Sequence, residues 1–580
     1  MNYSSDGSAK IDFKTMGFAS VNLGKRNKSG NVLHMKNSVL KINPSDTIMV
    51  ALKNLQAGES VDYNGVQYTL RENIPAKHKF YLYDAPTGTN VIMYGVLVGK
   101  TVKDVTAGSR VSTENLKHAS EVYDYRGVKY QWKPPDASKF RNAHFLGYHR
   151  SDGRVGTANY WLFMPTVFCE NRNLDVIREV LQDELGYSVT EKYKSFTRDL
   201  IISMQEGTNT KEPAIPLSSA YNRSRIFKNV DGIRFLNHNG GCGGIRQDST
   251  VLGKLLAAYA NHPNVGGITI LSLGCQHLQT TELMDGIKKL NPAFEKPVYV
   301  FEQQQSQSEE QLIQEAIRKT FEGLAKINQF ERKPASLDKL CIGVKCGGSD
   351  GFSGITANPA VGYCADLLVS LGGKVLLAEF PELCGVEQEL VDRSVNESVA
   401  RKFIGLMKDY EASALRAGSG FHMNPSPGNI RDGLITDAMK SAGAAKKAGN
   451  APVADVLDYT EPATRAGLSL VCTPGNDVEA TTGQAASGAT LILFTTGLGT
   501  PTGNPVSPTI KISSNTTLAR RMPDIIDIDT GSIIEGEKTP EEMGEEILSF
   551  CIRVASGEIT PKAVLLNQDD FIPWKRGVSL

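Results

Sequence analysis

The chain has no excess of either charge: 63 Lys and Arg residues offset 63 Asp and Glu residues. No basic run interleaved with aromatic residues occurs, so neither a polyanion surface nor a nucleic-acid partner is expected. Nowhere does the sequence reach the roughly 18 uncharged apolar residues of a membrane helix. The first segment, MNYSSDGSAKIDFKTMG, also lacks the continuous apolar stretch of a signal peptide. These two absences point to the cytoplasm and away from a membrane. In that compartment nine cysteines are not a disulfide framework; they are buried apolar residues, metal ligands or nucleophiles. The glycine-rich turns hold no Gly-Lys-Ser/Thr at phosphate-loop spacing and no Rossmann fingerprint, which sets aside both common nucleotide cradles.

What is present is a change of texture along 580 residues, enough chain for two to four domains. Residues 1–36 are polar and read as an arm. From 37 to 115, short alternating runs (TIMVALKNL, VQYTL, HKFYLY, NVIMYGVLVG) with regular glycines predict a small all-β domain. Residues 116–140, with Pro134-Pro135, read as a linker. Beyond it, apolar runs alternate with amphipathic helical segments, and the pattern restarts near 336. Two α/β domains with mostly parallel sheets, 141–335 and 336–580, are therefore expected.

Four cysteines end predicted strands: Cys169 (TVFCEN), Cys242 (NGGCGG), Cys275 (SLGCQH) and Cys346 (VKCGGSD). Ligands of parallel α/β sheets bind outside the carboxyl ends of strands, and thiolates suit iron and zinc. The plain alternative is a small buried residue finishing each strand. His238 shares the Cys242 turn, where a neutral imidazole can bind metal or move a proton. The turn CGGSDGFSGITANPAVG offers Ser349, Asp350, Ser353, Thr356 and Asn358 as hydrogen-bonding groups for a carboxylate or polyol, and TPGND adds Asn476 and Asp477. Glu379, Glu382 and Glu387 are further acidic candidates. Lys345, a lysine ending a buried strand, needs a partner.

The motifs FLGYHRSDGRVGTANYWLFMPTVFCEN, NHNGGCGG, LSLGCQ, CGGSDGFSGITANPAVG, NPSPGN, TPGNDVEATTG and TTGLGTPTGNP, in this order, resemble the altronate and galactarate dehydratase family over about residues 40–580. The resemblance implies a SAF-type β domain, a second domain and a large C-terminal domain. It also implies dehydration of a six-carbon sugar acid with Fe²⁺ or Mn²⁺, and His78 matches a family histidine. Asn43, Ser112 and Glu114 stand where many relatives carry histidine or a histidine-rich segment, so a metal site in the β domain is in question. Lys345 and Gln276 replace glutamates of some members. The expected reaction removes the C2 proton and the C3 hydroxyl of an aldonate, altronate first, giving a 2-keto-3-deoxy acid. Cys169, Cys242, Cys275, Cys346 and His78 are the expected metal residues, holding either a single ion or an iron–sulfur cluster. His238, Lys345 and Asp350 are the expected catalytic residues. The expected partners are a small sugar acid and further copies of the chain. Galactarate, another hydroxy acid such as a sulfonated lactate, and a non-catalytic sugar-acid binding role remain as alternatives.

Overall fold

The computed structural model describes residues 38–127, 130–207 and 224–577, so the expected arm at 1–36 lies outside the described residues. The β domain is built from hairpins whose two-residue turns suit the twist of antiparallel strands. Asn64-Gly65 joins Ser60–Tyr63 to Val66–Thr69, and Tyr94-Gly95 joins Asn90–Met93 to Val96–Thr101; all four turn residues have positive φ. A third strand, Leu116–Lys117, pairs with Val96–Thr101, so strand structure continues into the expected linker. The rest of that linker carries Tyr123, Tyr125 and Trp132 against the large core of the C-terminal sheet.

The second unit is inserted between two neighbouring strands. The chain enters on His144–His149 and leaves on Lys333–Ser336, which pair antiparallel, Gly147 opposite Lys333. Between them lies a four-stranded parallel sheet. Its spatial order is Gly232–Phe235, Tyr160–Pro165, Val265–Ser272, Val298–Glu302. Every residue of Tyr160–Pro165 and Val265–Ser272 is buried, as expected of parallel strands covered on both faces.

The C-terminal unit is a seven-stranded parallel sheet. Its spatial order is Val453–Leu457, Gly467–Val471, Lys374–Leu377, Cys341–Cys346, Leu491–Thr496, Thr509–Ser513, Ile528–Asp529. Chain order reverses between Cys341–Cys346 and Leu491–Thr496. At such a switch point the connecting loops leave in opposite directions and open a crevice at the strand ends. The expected fold class, a SAF-like β domain followed by parallel α/β domains, is the one observed. No helix among the described residues is long and apolar enough to cross a membrane.

Candidate active site at the strand ends

Lys345 sits at the switch point, the second-last residue of its strand, fully buried. Its ammonium lies between the Glu379 carboxylate and Asp477 Oδ1, the latter at 2.7 Å. Burial alone works against the charge, but Asp477 and Glu379 outweigh it and hold the lysine pKa well above its usual value. Lys447 Nζ lies 3.2 Å from Glu379 Oε2 and 3.1 Å from Cys346 Sγ. Lys440 Nζ lies 2.7 Å from Glu382 Oε1. Three lysines thus face Glu379, Glu382 and Asp477 around the Cys346 thiol, and only Asp477, with 28% of its side chain exposed, opens to solvent.

Across the sheet Lys345, Phe494 and Lys511 are in register. Lys511 Nζ sits 3.4 Å from the Phe494 ring centre with no hydrogen-bond partner, and burial pushes its pKa down to about 7. The β domain supplies two further lysines. Lys77 Nζ reaches Asp350 Oδ2 at 3.0 Å and Asp432 Oδ1 at 2.9 Å. Lys79 Nζ donates to the Gly433 carbonyl at 2.7 Å, and burial pushes its pKa down to about 7. This docking needs glycine: a Cβ at Gly351 or Gly433 would meet the Lys77 carbonyl oxygen at 2.5 or 2.4 Å.

The expected residues separate into those facing this cluster and those spent on the fold. Asp350 is fully buried and accepts from Ser353 Oγ at 2.8 Å, Ser514 Oγ at 2.9 Å and Asn515 Nδ2 at 3.3 Å. Ser349 Oγ is buried with no hydrogen-bond partner. Thr356 Oγ1 donates to the carbonyls of Phe352 and Ser514. Asn358 bridges the Gly443 carbonyl and Thr495 Oγ1. Asn476 caps the helix Asp477–Ala486 through the N–H groups of Val478 and Glu479. Those three side chains hold the turns. His78 Nε2 contacts the Arg431 carbonyl at 3.0 Å, while its Nδ1 is buried without a partner.

His238 and three of the cysteines stand elsewhere, at the strand ends of the second unit. His238 Nε2 bonds the Pro165 carbonyl at 2.9 Å and Nδ1 accepts from Gly240 N–H at 3.1 Å. Both ring nitrogens therefore bridge backbone, and burial lowers its pKa to about 4. A proton-transfer role would require it to release one of those bonds. Cys169, Cys242 and Cys275 are exposed, on loops following three adjacent strands. The loops are tied together by Phe168 N–H to the Gly240 carbonyl (3.1 Å) and His277 N–H to the Gly241 carbonyl (3.0 Å). Cys346 is not with them. Among the described residues, the donor sets compact enough for one ion are Cys346 with Glu379 and Glu382, and His118 with Cys384 and Asp437.

A cavity of about 560 Å³ is lined by Arg178, Gln182 and the strand-end Phe235 of the second unit and by the loop residues Pro501 and Asn567–Asp570 of the C-terminal unit. Neither Lys345 nor any cysteine lines it. Sequence reasoning missed Lys77, Lys79, Lys440 and Lys447. The available signal for Lys440 and Lys447 was three lysines in the otherwise small and apolar run AMKSAGAAKKAG, where a solvated face would have been more polar.

A cluster of paired, buried charges at the switch point of a parallel sheet is the geometry of an α/β enzyme. Three family models match successive parts of the chain: the altronate/galactarate dehydratase SAF domain at 37–119, the D-galactarate dehydratase/altronate hydrolase second domain at 147–328, and the D-galactarate/altronate dehydratase C-terminal domain at 337–579. The altronate dehydratase of Bacillus subtilis strain 168 is 32% identical over 94% of this chain and 100% of its own. That of Escherichia coli K12 is 32% identical over 93% and 99%. The galactarate dehydratase (L-threo-forming) of Escherichia coli K12 is 31% identical over 90% and 93%. The chain belongs to the altronate/galactarate dehydratase family.

Proposed function

We propose that the chain is a hydro-lyase that removes water from D-altronate, giving 2-dehydro-3-deoxy-D-gluconate, and that it works in the cytoplasm. The two altronate dehydratases, matched over their full length, support this substrate over galactarate. The observation that carries the chemistry is the Lys345–Asp477 pair, a buried ammonium whose carboxylate partner is the one accessible member of the cluster. Dehydration beside a carboxylate needs a group to take the C2 proton, a group to return one to the leaving hydroxyl, and positive charge near the enediolate. Asp477 would exchange the proton. Lys345, Lys440 and Lys447 balance the three carboxylates, and Lys345 would set an ammonium beside the enediolate. Asp350, fixed by four side-chain donors including Lys77, and the unpartnered Ser349 hydroxyl are placed to hold substrate hydroxyls.

The family implies iron or manganese, and the donor chemistry fits iron: three exposed thiols on neighbouring loops, spaced beyond the reach of one shared ion. Cys169, Cys242 and Cys275 would hold it as a cluster, and such a centre supplies Lewis-acid charge withdrawal when bound. The test is a keto-acid assay on altronate after anaerobic reconstitution with iron, beside a chelated control and Asp477→Asn. We expect product with altronate ahead of galactarate, and at least a 100-fold lower kcat in the variant. Tight sugar-acid binding without keto-acid formation across a panel of aldonates and aldarates would overturn the reading.

A further inference from the structure

The turn Phe380–Leu383 separates two thiol–carboxylate pockets that balance their charge differently. On one side Cys346, Glu379 and Glu382 face the ammonium groups of Lys345, Lys440 and Lys447. On the other, one donor atom each from His118, Cys384 and Asp437 lie within 4.8 Å of one another. His118 follows the last β-domain strand, Cys384 follows the turn, and Asp437 opens the helix Asp437–Ala445. Glu387, also buried, adds negative charge beside the Cys384 thiol. Among the described residues neither Asp437 nor Glu387 has a Lys or Arg ion-pair partner.

Asp437 decides the matter. It is 1% exposed, and its carboxylate oxygens find no hydrogen-bond partner beyond the Cys384 thiol. Buried carboxylates are paired, hydrogen-bonded or metal-bound, because a bare one loses its hydration for nothing in return. Its nearest donor groups are a thiol and an imidazole, and the one lysine that acts on it, Lys440, is already paired with Glu382.

We propose that His118, Cys384 and Asp437 bind one divalent transition-metal ion of the zinc class, clamping the end of the β domain to the C-terminal unit. A thiolate, an imidazole and a carboxylate form a tetrahedral zinc set, with Glu387 or water as the fourth ligand. Bond lengths of about 2.0–2.3 Å put tetrahedral donors about 3.3–3.8 Å apart, within a few tenths of an ångström of the separation seen here. Cys384 Sγ and His118 Nε2 are already 3.9 Å apart. Binding releases the thiol proton and takes the Nε2 lone pair. The neutral ring then carries its proton on Nδ1, and the 3.3 Å contact from Ala438 N–H to Nδ1 is given up. The site is independent of the iron-bearing thiols proposed above.

The experiment uses the full chain carrying Cys169→Ser, Cys242→Ser and Cys275→Ser, so that those thiols cannot contribute. After chelator treatment it is titrated with Co²⁺ and then with Zn²⁺. We expect one equivalent of cobalt, a near-ultraviolet thiolate-to-cobalt band, and displacement by zinc. Adding Cys384→Ser should abolish the band, and His118→Gln or Asp437→Asn should weaken binding at least tenfold. Absence of the band in the parent overturns the proposal, as does a band that survives Cys384→Ser or one removed by Cys346→Ser instead. Should Cys384→Ser fail to fold, the parent spectrum and the Asp437→Asn affinity decide.

Discussion

Replacing Lys345 with Met tests whether the buried cluster is an electrostatic unit. The substitution keeps the stem and removes the charge between Glu379 and Asp477. Stripping one partner from a buried pair costs about 3–5 kcal/mol, because the other charge stays buried and unmatched. Two features place this case at the low end, about 3 kcal/mol. Glu379 keeps Lys447 at 3.2 Å, and Asp477, 28% exposed, can turn to water. Glu379→Gln should cost a similar amount, since it leaves Lys447 beside the neutral thiol of Cys346, whose pKa burial raises. Removing both charges leaves fewer uncompensated groups, so the double variant should cost at least about 1 kcal/mol less than the sum of the singles. Urea unfolding of the four proteins, followed by the near-ultraviolet signal, supplies the cycle. Singles that add to within about 0.5 kcal/mol would refute the reasoning, because independent sites behave that way. Lys345→Arg should not restore activity, since a planar fork does not fit a cavity shaped for an ammonium.

Lys79 should give the protein a pH-dependent stability. Its folded pKa, about 7, lies below its ordinary 10.5, so between those values the unfolded chain binds a proton the folded chain lacks. Stability therefore rises with pH across that window and is lost as pH falls toward 7. Lys79→Met should flatten the slope by about 1.4 kcal/mol per pH unit between pH 8 and 9.5, and an unchanged slope counts against the neutral buried amine. His238→Asn should lower stability by about 1–3 kcal/mol through its two lost backbone bonds while leaving kcat within about tenfold; a 100-fold fall in kcat would return the residue to proton transfer. Serine at Cys169, Cys242 or Cys275 should remove iron and activity together in a metal assay of anaerobic protein. Cys364→Ala, inside the core, should retain both.

The parts of this architecture written in local pattern were readable before any coordinates. Asn64-Gly65 marks a hairpin by backbone requirement alone, and the buried runs at 160–165 and 491–496 mark covered parallel strands. The cysteines were recognisable as strand-end residues for the same reason. What local pattern cannot carry is pairing across the chain. Lys77 meets Asp432 across 355 positions, and Lys447 meets Cys346 across 101. No spacing rule links those residues, so sequence alone does not show which lysines meet which partners. Thr356, Asn358 and His238 show the converse ambiguity. Polar side chains in glycine-rich turns resemble ligand contacts, yet here they satisfy carbonyls and N–H groups that the turns leave unpaired.

The backbone itself indicates that the β domain completes the site. Lys77 and Glu379 both sit in the left-handed region, with φ of 74° each, although neither is glycine. Such a conformation costs about 1–3 kcal/mol and persists only where surrounding contacts enforce it. For Glu379 they are Lys345, Lys447 and the Thr473 hydroxyl, which accepts from its N–H at 2.9 Å. For Lys77 they are Asp350 and Asp432, on the opposite face of the domain contact. Each strained residue thus aims a charge at the strand ends from a different part of the chain. A β domain serving only as a flexible appendage would have no need to hold Lys77 that way. The strain is better understood as preorganisation: the cationic tip is fixed against Asp350, so the hydroxyl-binding edge proposed for Asp350 would exist only when the two domains are docked.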